Sequence, residues 1–174
     1  MNVHDPMAGV ADSALVLTLD TAGPACQAVV ARGVDLLASK SVAMLRGHGE
    51  ALVPMVEEVL QQASLDFADL DRVAVTIGPG SFTGMRVGLA AARGYGVALN
   101  IPVAGIGSLE AMALSDALSS GLGVKRAAAI DARNGLVYGQ RFDGANTPLE
   151  PANVMADLVF ASSVESGYRL VGPA

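Results

Sequence analysis

The chain has 174 residues, enough for one substantial core or for two small lobes. Its hydrophobic fraction is 52% and its aromatic fraction only 4%, so the core must be built mainly from Val, Leu, Ala and Ile. A formal net charge of −6 argues against a stand-alone nucleic-acid binder, because such proteins present a basic face. Cys26 is the only cysteine, which excludes an intrachain disulfide. Together with the lack of a signal-peptide pattern, this favours the cytoplasm.

The most apolar stretch, roughly residues 87–106, does not have the pattern of a membrane span. It contains Arg93, Asn100 and Pro102, whereas a spanning helix needs about 20 predominantly apolar residues. We expect a buried helix followed by a buried strand in a soluble protein with no membrane partner.

Residues 1–12 are predicted to form a disordered leader, and residues 13–103 a first lobe. Three strands with tight connections predict an antiparallel meander, which is followed by a helix, a strand and a second helix. In chain order these elements are strands at 14–19, 25–32 and 36–42, a helix at 49–63, a strand at 72–77 and a helix at 83–99. This order is typical of a ribonuclease-H-like lobe.

The remaining residues, 104–174, are predicted to form a shortened second lobe of the same kind. Its predicted elements are a strand at 102–106 leading into it, a helix at 108–118, strands at 127–131 and 136–142, a helix at 154–160 and a strand at 168–171. The predicted fold class is therefore α/β, a mixed sheet with flanking helices, in two lobes of which the second is abbreviated.

A glycine loop follows the strand at 72–77 and opens into a helix, an arrangement that can hold an anion. A P-loop is excluded because Met85, not Lys, follows Gly84, and the glycine spacing does not fit a dinucleotide fingerprint. Two interpretations stay open. One is a tight structural turn with Arg86 on the surface. The other is an anion or nucleotide contact formed by Gly78, Gly80, Ser81 and Arg86.

The helix after the loop carries small residues on one face, among them Gly84, Gly88 and Ala91. Glycine costs about 0.8–1 kcal/mol relative to alanine in a helix, so a close backbone contact must offset it. That contact is either internal or between subunits. The preceding helix, at 49–63, is apolar over a larger part of its circumference than a single buried face requires. This favours a partner interface. Its apolar stripe includes Leu52, Met55, Val56 and Val59.

No catalytic or metal site is predicted. His48 has no second histidine four residues along the helix, so a metal-binding histidine pair is not expected. Cys26 is interpreted as a small buried hydrophobe, and no nucleophile–base pair can be proposed. Asp20 and Asp131 each end a strand. They either flank a metal or an attacking water, or they cap turns.

Several segments together resemble the TsaB (YeaZ) family over residues 14–140. They are Leu-Thr-Leu-Asp-Thr at 17–21, His-Gly-Glu-Ala-Leu-Val-Pro at 48–54, Gly-Pro-Gly-Ser-Phe-Thr-Gly-Met-Arg-Val-Gly at 78–88, Asn-Ile-Pro-Val-Ala-Gly-Ile-Gly-Ser-Leu-Glu-Ala at 100–111 and Ile-Asp-Ala-Arg-Asn-Gly-Leu-Val-Tyr at 130–138.

The resemblance implies an actin-like, sugar-kinase-like fold and a catalytically inert scaffold. Such a subunit pairs with its paralogue TsaD, which threonylcarbamoylates adenosine 37 of tRNAs reading codons that begin with A. The ATPase TsaE joins the complex, so ATP and metal belong to the partners and tRNA is met only indirectly. Alone, the chain is expected to form a homodimer. TsaB pairs through the first two helices, which implies an interface at Leu52, Met55, Val56, Val59, Gly84, Gly88 and Ala91.

One departure and two alternatives accompany the resemblance. Family members usually exceed 200 residues, so the second lobe is either short or truncated. The enzyme alternative is a small ATP-dependent phosphotransferase or ATPase using Asp20, Asp131 and the 78–84 loop. A metallopeptidase is disfavoured by the lone His48.

Overall fold

The computed structural model describes residues 13–172, so the predicted leader at 1–12 lies outside the described residues. The chain divides into two compact units. The first runs to Ile77 and resumes from Ser81 to Ile106, and the second comprises Gly78–Gly80 and the chain from Gly107 onward. No helix in the described part is long and apolar enough to cross a membrane.

The first unit is a five-stranded mixed sheet with two helices. Its elements are β1 (Leu15–Asp20), β2 (Ala25–Arg32), β3 (Asp35–Ala43), α1 (His48–Gln62), β4 (Arg72–Gly78), α2 (Phe82–Leu99) and β5 (Val103–Gly107), with a 3-10 turn at Phe67–Asp69. The strand order is β3-β2-β1-β4-β5. Strands β1, β2 and β3 pair antiparallel, and β1 pairs with β4 in parallel. This confirms the predicted meander and helix–strand–helix order.

The core of the first unit is aliphatic, as the composition requires. Strands β1 and β2 alternate buried and half-buried residues because successive side chains point to opposite faces of the sheet. Helix α1 packs on β2 and β3, and α2 packs on β1 and on α1. The largest buried aliphatic side chains include Leu17, Leu19, Val30, Leu52, Val56, Val59, Val73 and Val75.

The second unit carries a four-stranded sheet. Its elements are α3 (Ser108–Ser120), β6 (Lys125–Arg133), β7 (Leu136–Phe142), β8 (Asn153–Ala156), α4 (Asp157–Ser163) and β9 (Tyr168–Val171). The order β8-β7-β6-β9 and the strand senses repeat those of β3-β2-β1-β4. The two mixed sheets with flanking helices confirm the predicted α/β fold class.

One predicted helix in this unit is wrong at its start. Residues 154–156 belong to strand β8, where Val154 pairs with Tyr138 of β7, and α4 begins only at Asp157. The apolar run Val-Met-Ala suits a strand as well as a helix, and pairing with β7 decides between the two.

A buried ion pair connects α3 to β6 in the second unit. The Arg126 side chain is fully buried on β6, and its Nε lies 2.9 Å from Oδ2 of Asp116 on α3. Its Nη1 donates to the Val124 carbonyl at 2.7 Å, and its Nη2 donates to the Gly121 carbonyl at 2.6 Å and to the Ser120 hydroxyl at 3.2 Å. Because every contact compensates desolvation of the guanidinium, the C-terminal end of α3 is anchored to the sheet.

Candidate functional site

Thr21, which follows β1, attaches α2 to the sheet. Its hydroxyl donates to the Gly84 carbonyl at 2.7 Å and accepts from the Gly88 N–H at 3.1 Å, and both hydrogen bonds are buried. A Cβ at Gly84 would overlap the carbonyl oxygen of Thr21, and a Cβ at Gly88 would lie 2.5 Å from Thr21 Oγ1. The two glycines are therefore required for close packing inside the unit.

This packing corrects the prediction that Gly84 and Gly88 contact a partner. Both residues are buried within the first unit, where their missing side chains admit Thr21. Ala91 is half-buried and packs against the same core. Of the two interpretations left open for this face, the internal one is correct.

The apolar stripe of α1 is also internal. Leu52, Met55, Val56 and Val59 are between 0 and 3% exposed and belong to the core beneath the helix. The prediction that these four side chains form a partner interface is wrong, because they supply the hydrophobic contact between α1 and the sheet. A partner reaching α1 or α2 must contact the opposite faces of these helices.

The outward face of α2 has an exposed stripe that combines apolar and basic side chains. Phe82, Arg86, Ala90, Arg93 and Val97 recur at spacings of three and four residues, so they share one side of the helix. Phe82 is 65% exposed and Val97 is 85% exposed. The Arg86 guanidinium carbon lies 3.8 Å from the centre of the Phe82 ring, which holds both side chains at the surface.

The outward face of α1 has a matching stripe of opposite charge. Glu50, Val53, Pro54, Glu57 and Gln61 lie on one side of the helix and are exposed. Because α1 and α2 pack against each other, an acidic stripe and a basic stripe occur on neighbouring helices. These two stripes were not predicted, although the spacing of the acidic residues on one helix and of the basic residues on the next is visible in the sequence.

The residues of the predicted anion contact have structural roles in the turn and in the first turn of α2. Ser81 is the N-cap of α2, since its Oγ accepts from the Gly84 N–H at 3.2 Å, and its own N–H donates to the Ala22 carbonyl at 2.8 Å. Gly78 has φ +97° and precedes Pro79 through a cis peptide bond. Gly80 completes the turn, and Arg86 is directed at Phe82. Anion binding by Gly78, Gly80, Ser81 and Arg86 stays a prediction.

The two strand-end aspartates serve the local backbone. Asp20 Oδ1 accepts from the Ala22 N–H at 2.8 Å and from the Thr76 hydroxyl at 2.7 Å. Asp131 Oδ1 accepts from the Arg133 N–H at 2.7 Å. Each carboxylate thus has the turn-capping role, and neither supports the phosphotransferase alternative.

Cys26 and His48 complete the set of predicted catalytic candidates. Cys26 is fully buried on β2, and burial, followed by the charge of Asp20, raises the pKa of its thiol. A buried, protonated thiol is a poor nucleophile. Within residues 13–172, no group of three or more His, Cys, Asp or Glu side chains is placed to hold a metal ion.

The fold and these contacts define an actin-like α/β protein with two charged helix faces. Residues 42–161 match the TsaD family, described as tRNA N6-adenosine threonylcarbamoyltransferase. An uncharacterized protein of Mycobacterium tuberculosis is 42% identical over 149 residues, covering 82% of this chain and 66% of its own length. TsaB of Escherichia coli, a tRNA threonylcarbamoyladenosine biosynthesis protein, is 33% identical over 123 residues, covering 71% and 52%.

Among solved structures, YeaZ from Pseudomonas aeruginosa is similar with a TM-score of 0.82 and 28% sequence identity, covering 91% of this chain and 76% of that one. The chain belongs to the TsaB (YeaZ) family, within the wider family to which TsaD gives its name. It spans about two thirds of the mycobacterial relative and about half of the Escherichia coli protein.

Proposed function

We propose that the chain is a non-catalytic scaffold subunit for threonylcarbamoylation of adenosine 37 in tRNAs that read codons beginning with A. It binds a TsaD-type transferase in the cytoplasm, and a TsaE-type ATPase joins that complex. The chemistry, the ATP and the metal belong to these partners, and tRNA is contacted through the complex. In the absence of the transferase the chain forms a homodimer.

The observation that carries this proposal is the pair of oppositely charged stripes on α1 and α2 in a member of the TsaB family. A paralogue or second copy with the same fold presents the same two helices. When two such subunits pair through α1 and α2 about a two-fold axis, the acidic stripe of α1 in one subunit contacts the basic stripe of α2 in the other. Glu57 on α1 and Arg93 on α2 are the charges proposed to make this contact, with Phe82 and Val97 as its apolar part.

The test is light scattering on size-exclusion chromatography with the chain alone and mixed with the TsaD-type protein of the same organism. We expect a homodimer alone and a defined heteromer on mixing. Val97→Glu should weaken both assemblies at least about tenfold, since an unpaired charge would be desolvated at the interface. Leu118→Glu is the matched control, because Leu118 is 79% exposed and lies on α3 of the second unit, not on α1 or α2.

Two results would contradict the proposal. A well-folded chain that forms no heteromer would remove the scaffold role. A heteromer weakened equally by Val97→Glu and Leu118→Glu would remove the assignment of the contact to α1 and α2.

A further inference from the structure

A cleft of about 530 Å³ lies at the N-terminal ends of α1 and α2 in the first unit. It shares Glu50 with the acidic stripe of α1, and its other polar groups come from the segment entering α1 and from the start of α2. Those polar side chains are Arg46, His48, Glu50, Ser81 and Thr83.

His48 is the residue that singles out this cleft. It is only 7% exposed, and its Nε2 is shielded from solvent with no hydrogen-bond partner among the described residues. Buried side-chain nitrogens are nearly always hydrogen-bonded, so an unpartnered one needs a reason. The imidazole is part of the lining of the cleft, so the missing partner is to be sought in a group bound there.

The donors around His48 favour an oxyanion. Helix α1 starts after Gly47, which has φ +87° and offers no side-chain cap. The Glu50 N–H donates to the Gly47 carbonyl at 3.2 Å, so the positive end of the helix dipole lies at the N–H groups of His48 and Gly49. Ser81 Oγ accepts from the Gly84 N–H, which leaves its own proton available to donate. Thr83 adds a second hydroxyl, and Arg46 adds a positive charge at an exposed position.

The negative charge of Glu50 opposes the positive charge of Arg46 and limits how much negative charge a ligand in the cleft can carry. Its carboxylate lies beside Gly47, since a Cβ at Gly47 would be 3.6 Å from Glu50 Oε2. Glu50 also lines the cleft. An anion in the cleft must therefore tolerate or displace this carboxylate, which favours one small oxyanion group over a polyphosphate.

We propose that this cleft binds a single phosphate or carboxylate group, held by the His48 imidazole, the Arg46 guanidinium and the hydroxyls of Ser81 and Thr83. The source is either a small phosphorylated compound or a carboxylate side chain of a bound protein. Both present the same oxygen atoms to these donors.

The experiment is an NMR titration of the isolated, nitrogen-15-labelled chain with inorganic phosphate and, separately, with acetate at constant ionic strength. A His4→Gln background leaves His48 as the only imidazole. We expect a saturable shift of the His48 ring nitrogens together with the amides of Gly49 and Thr83. Arg46→Ala should weaken binding about tenfold, because it removes one charge-assisted hydrogen bond, and Glu50→Gln should strengthen it.

Arg32→Ala is the control, since it removes the same charge from an exposed position at the end of β2, outside the cleft and outside both helix stripes. Saturation with phosphate alone supports a phosphorylated ligand, and saturation with acetate as well supports a protein carboxylate. The proposal is overturned if neither probe saturates, or if Arg46→Ala and Arg32→Ala weaken binding equally. Because no partner protein is present, either result is independent of heteromer formation.

Discussion

Thr21 and Gly84 are 63 residues apart in the chain, yet the Thr21 hydroxyl donates a 2.7 Å hydrogen bond to the Gly84 carbonyl. The same hydroxyl accepts from Gly88 one turn later. One side chain therefore fixes both the distance and the rotation of α2 relative to β1, and the glycines are the reason that the helix can approach so closely.

Replacing Gly84 by alanine should destabilise the first unit severely. The new methyl group would overlap backbone at Thr21, which cannot move without disturbing β1, so we expect a loss at or above about 3 kcal/mol. Gly94→Ala is the control on the same helix, where a Cβ meets nothing within 4 Å, and it should gain about 0.5–1 kcal/mol. Urea unfolding followed by circular dichroism measures both. Equal effects of the two substitutions would show that close packing at Gly84 is unimportant.

Thr21→Val should lower the free energy of unfolding by about 1–3 kcal/mol, because the Gly88 N–H and the Gly84 carbonyl lose a buried partner. Thr21→Ser keeps the hydroxyl and should lose less. Hydrogen exchange of the Gly88 amide reports the contact directly, and we expect faster exchange in Thr21→Val only. If both variants protect this amide as the parent does, the hydroxyl is not what holds the helix.

Val56→Glu should prevent stable folding of the first unit, although the sequence pattern alone makes it look like an interface substitution. Val56 is fully buried, and an unpaired carboxylate there costs more than the chain can offset. Val97→Glu, at a position 85% exposed, should leave the thermal midpoint within about 2 °C of the parent. Thermal unfolding of both variants distinguishes the core face from the outer face. A stable, monomeric Val56→Glu chain would reverse this assignment.

The second unit should lose stability in acid. Hydrogen bonds from Arg141 hold the pKa of Glu150 below its usual 4.5. Burial alone would raise the pKa of Asp116, but hydrogen bonds from Ser120, Arg126 and Arg169 hold it below 3.8. A lowered folded-state pKa means that the unfolded chain binds the proton more readily. The stabilisation is therefore complete above about pH 5 and disappears as pH falls through the lowered pKa values.

Glu150→Gln should flatten this acid dependence, measured as hydrogen exchange of β6 and β7 amides between pH 5 and 3 after correction for intrinsic rates. Asp35→Asn, an exposed substitution in the first unit, serves as the control. An unchanged slope in Glu150→Gln would show that the Arg141 pair does not contribute to folding.

Much of the fold follows from local pattern. The alternation in β1 and β2, the Asn134-Gly135 turn between β6 and β7 and the periodicity of α1 predict their elements directly. Strand β8 was not predictable in this way, because three apolar residues have no period of their own and only pairing with β7 makes them a strand.

The interface residues were mispredicted for a physical reason. An apolar stripe such as Leu52 to Val59 is what a helix needs to pack on its own sheet, and a sequence does not reveal how much of that stripe the sheet covers. Gly84 and Gly88 indicated close approach correctly, but the approaching group, Thr21, comes from a distant turn. The exposed charges Glu57 and Arg93 are visible in the sequence, but the packing of α1 against α2, which brings their two helices together, is not.

The Thr21 hydroxyl holds α2 through two backbone groups of the helix, the Gly84 carbonyl and the Gly88 N–H. The inner and outer sides of α2 are therefore under separate constraints. On the inner side, Gly84 and Gly88 have no room for a Cβ, whereas a substitution in the exposed outer stripe leaves the core packing untouched. Changes in recognition can therefore accumulate on the outer side one at a time, each folded and each testable. The outer stripe of α2 can therefore change its binding specificity while the packing of the helix on the sheet stays the same.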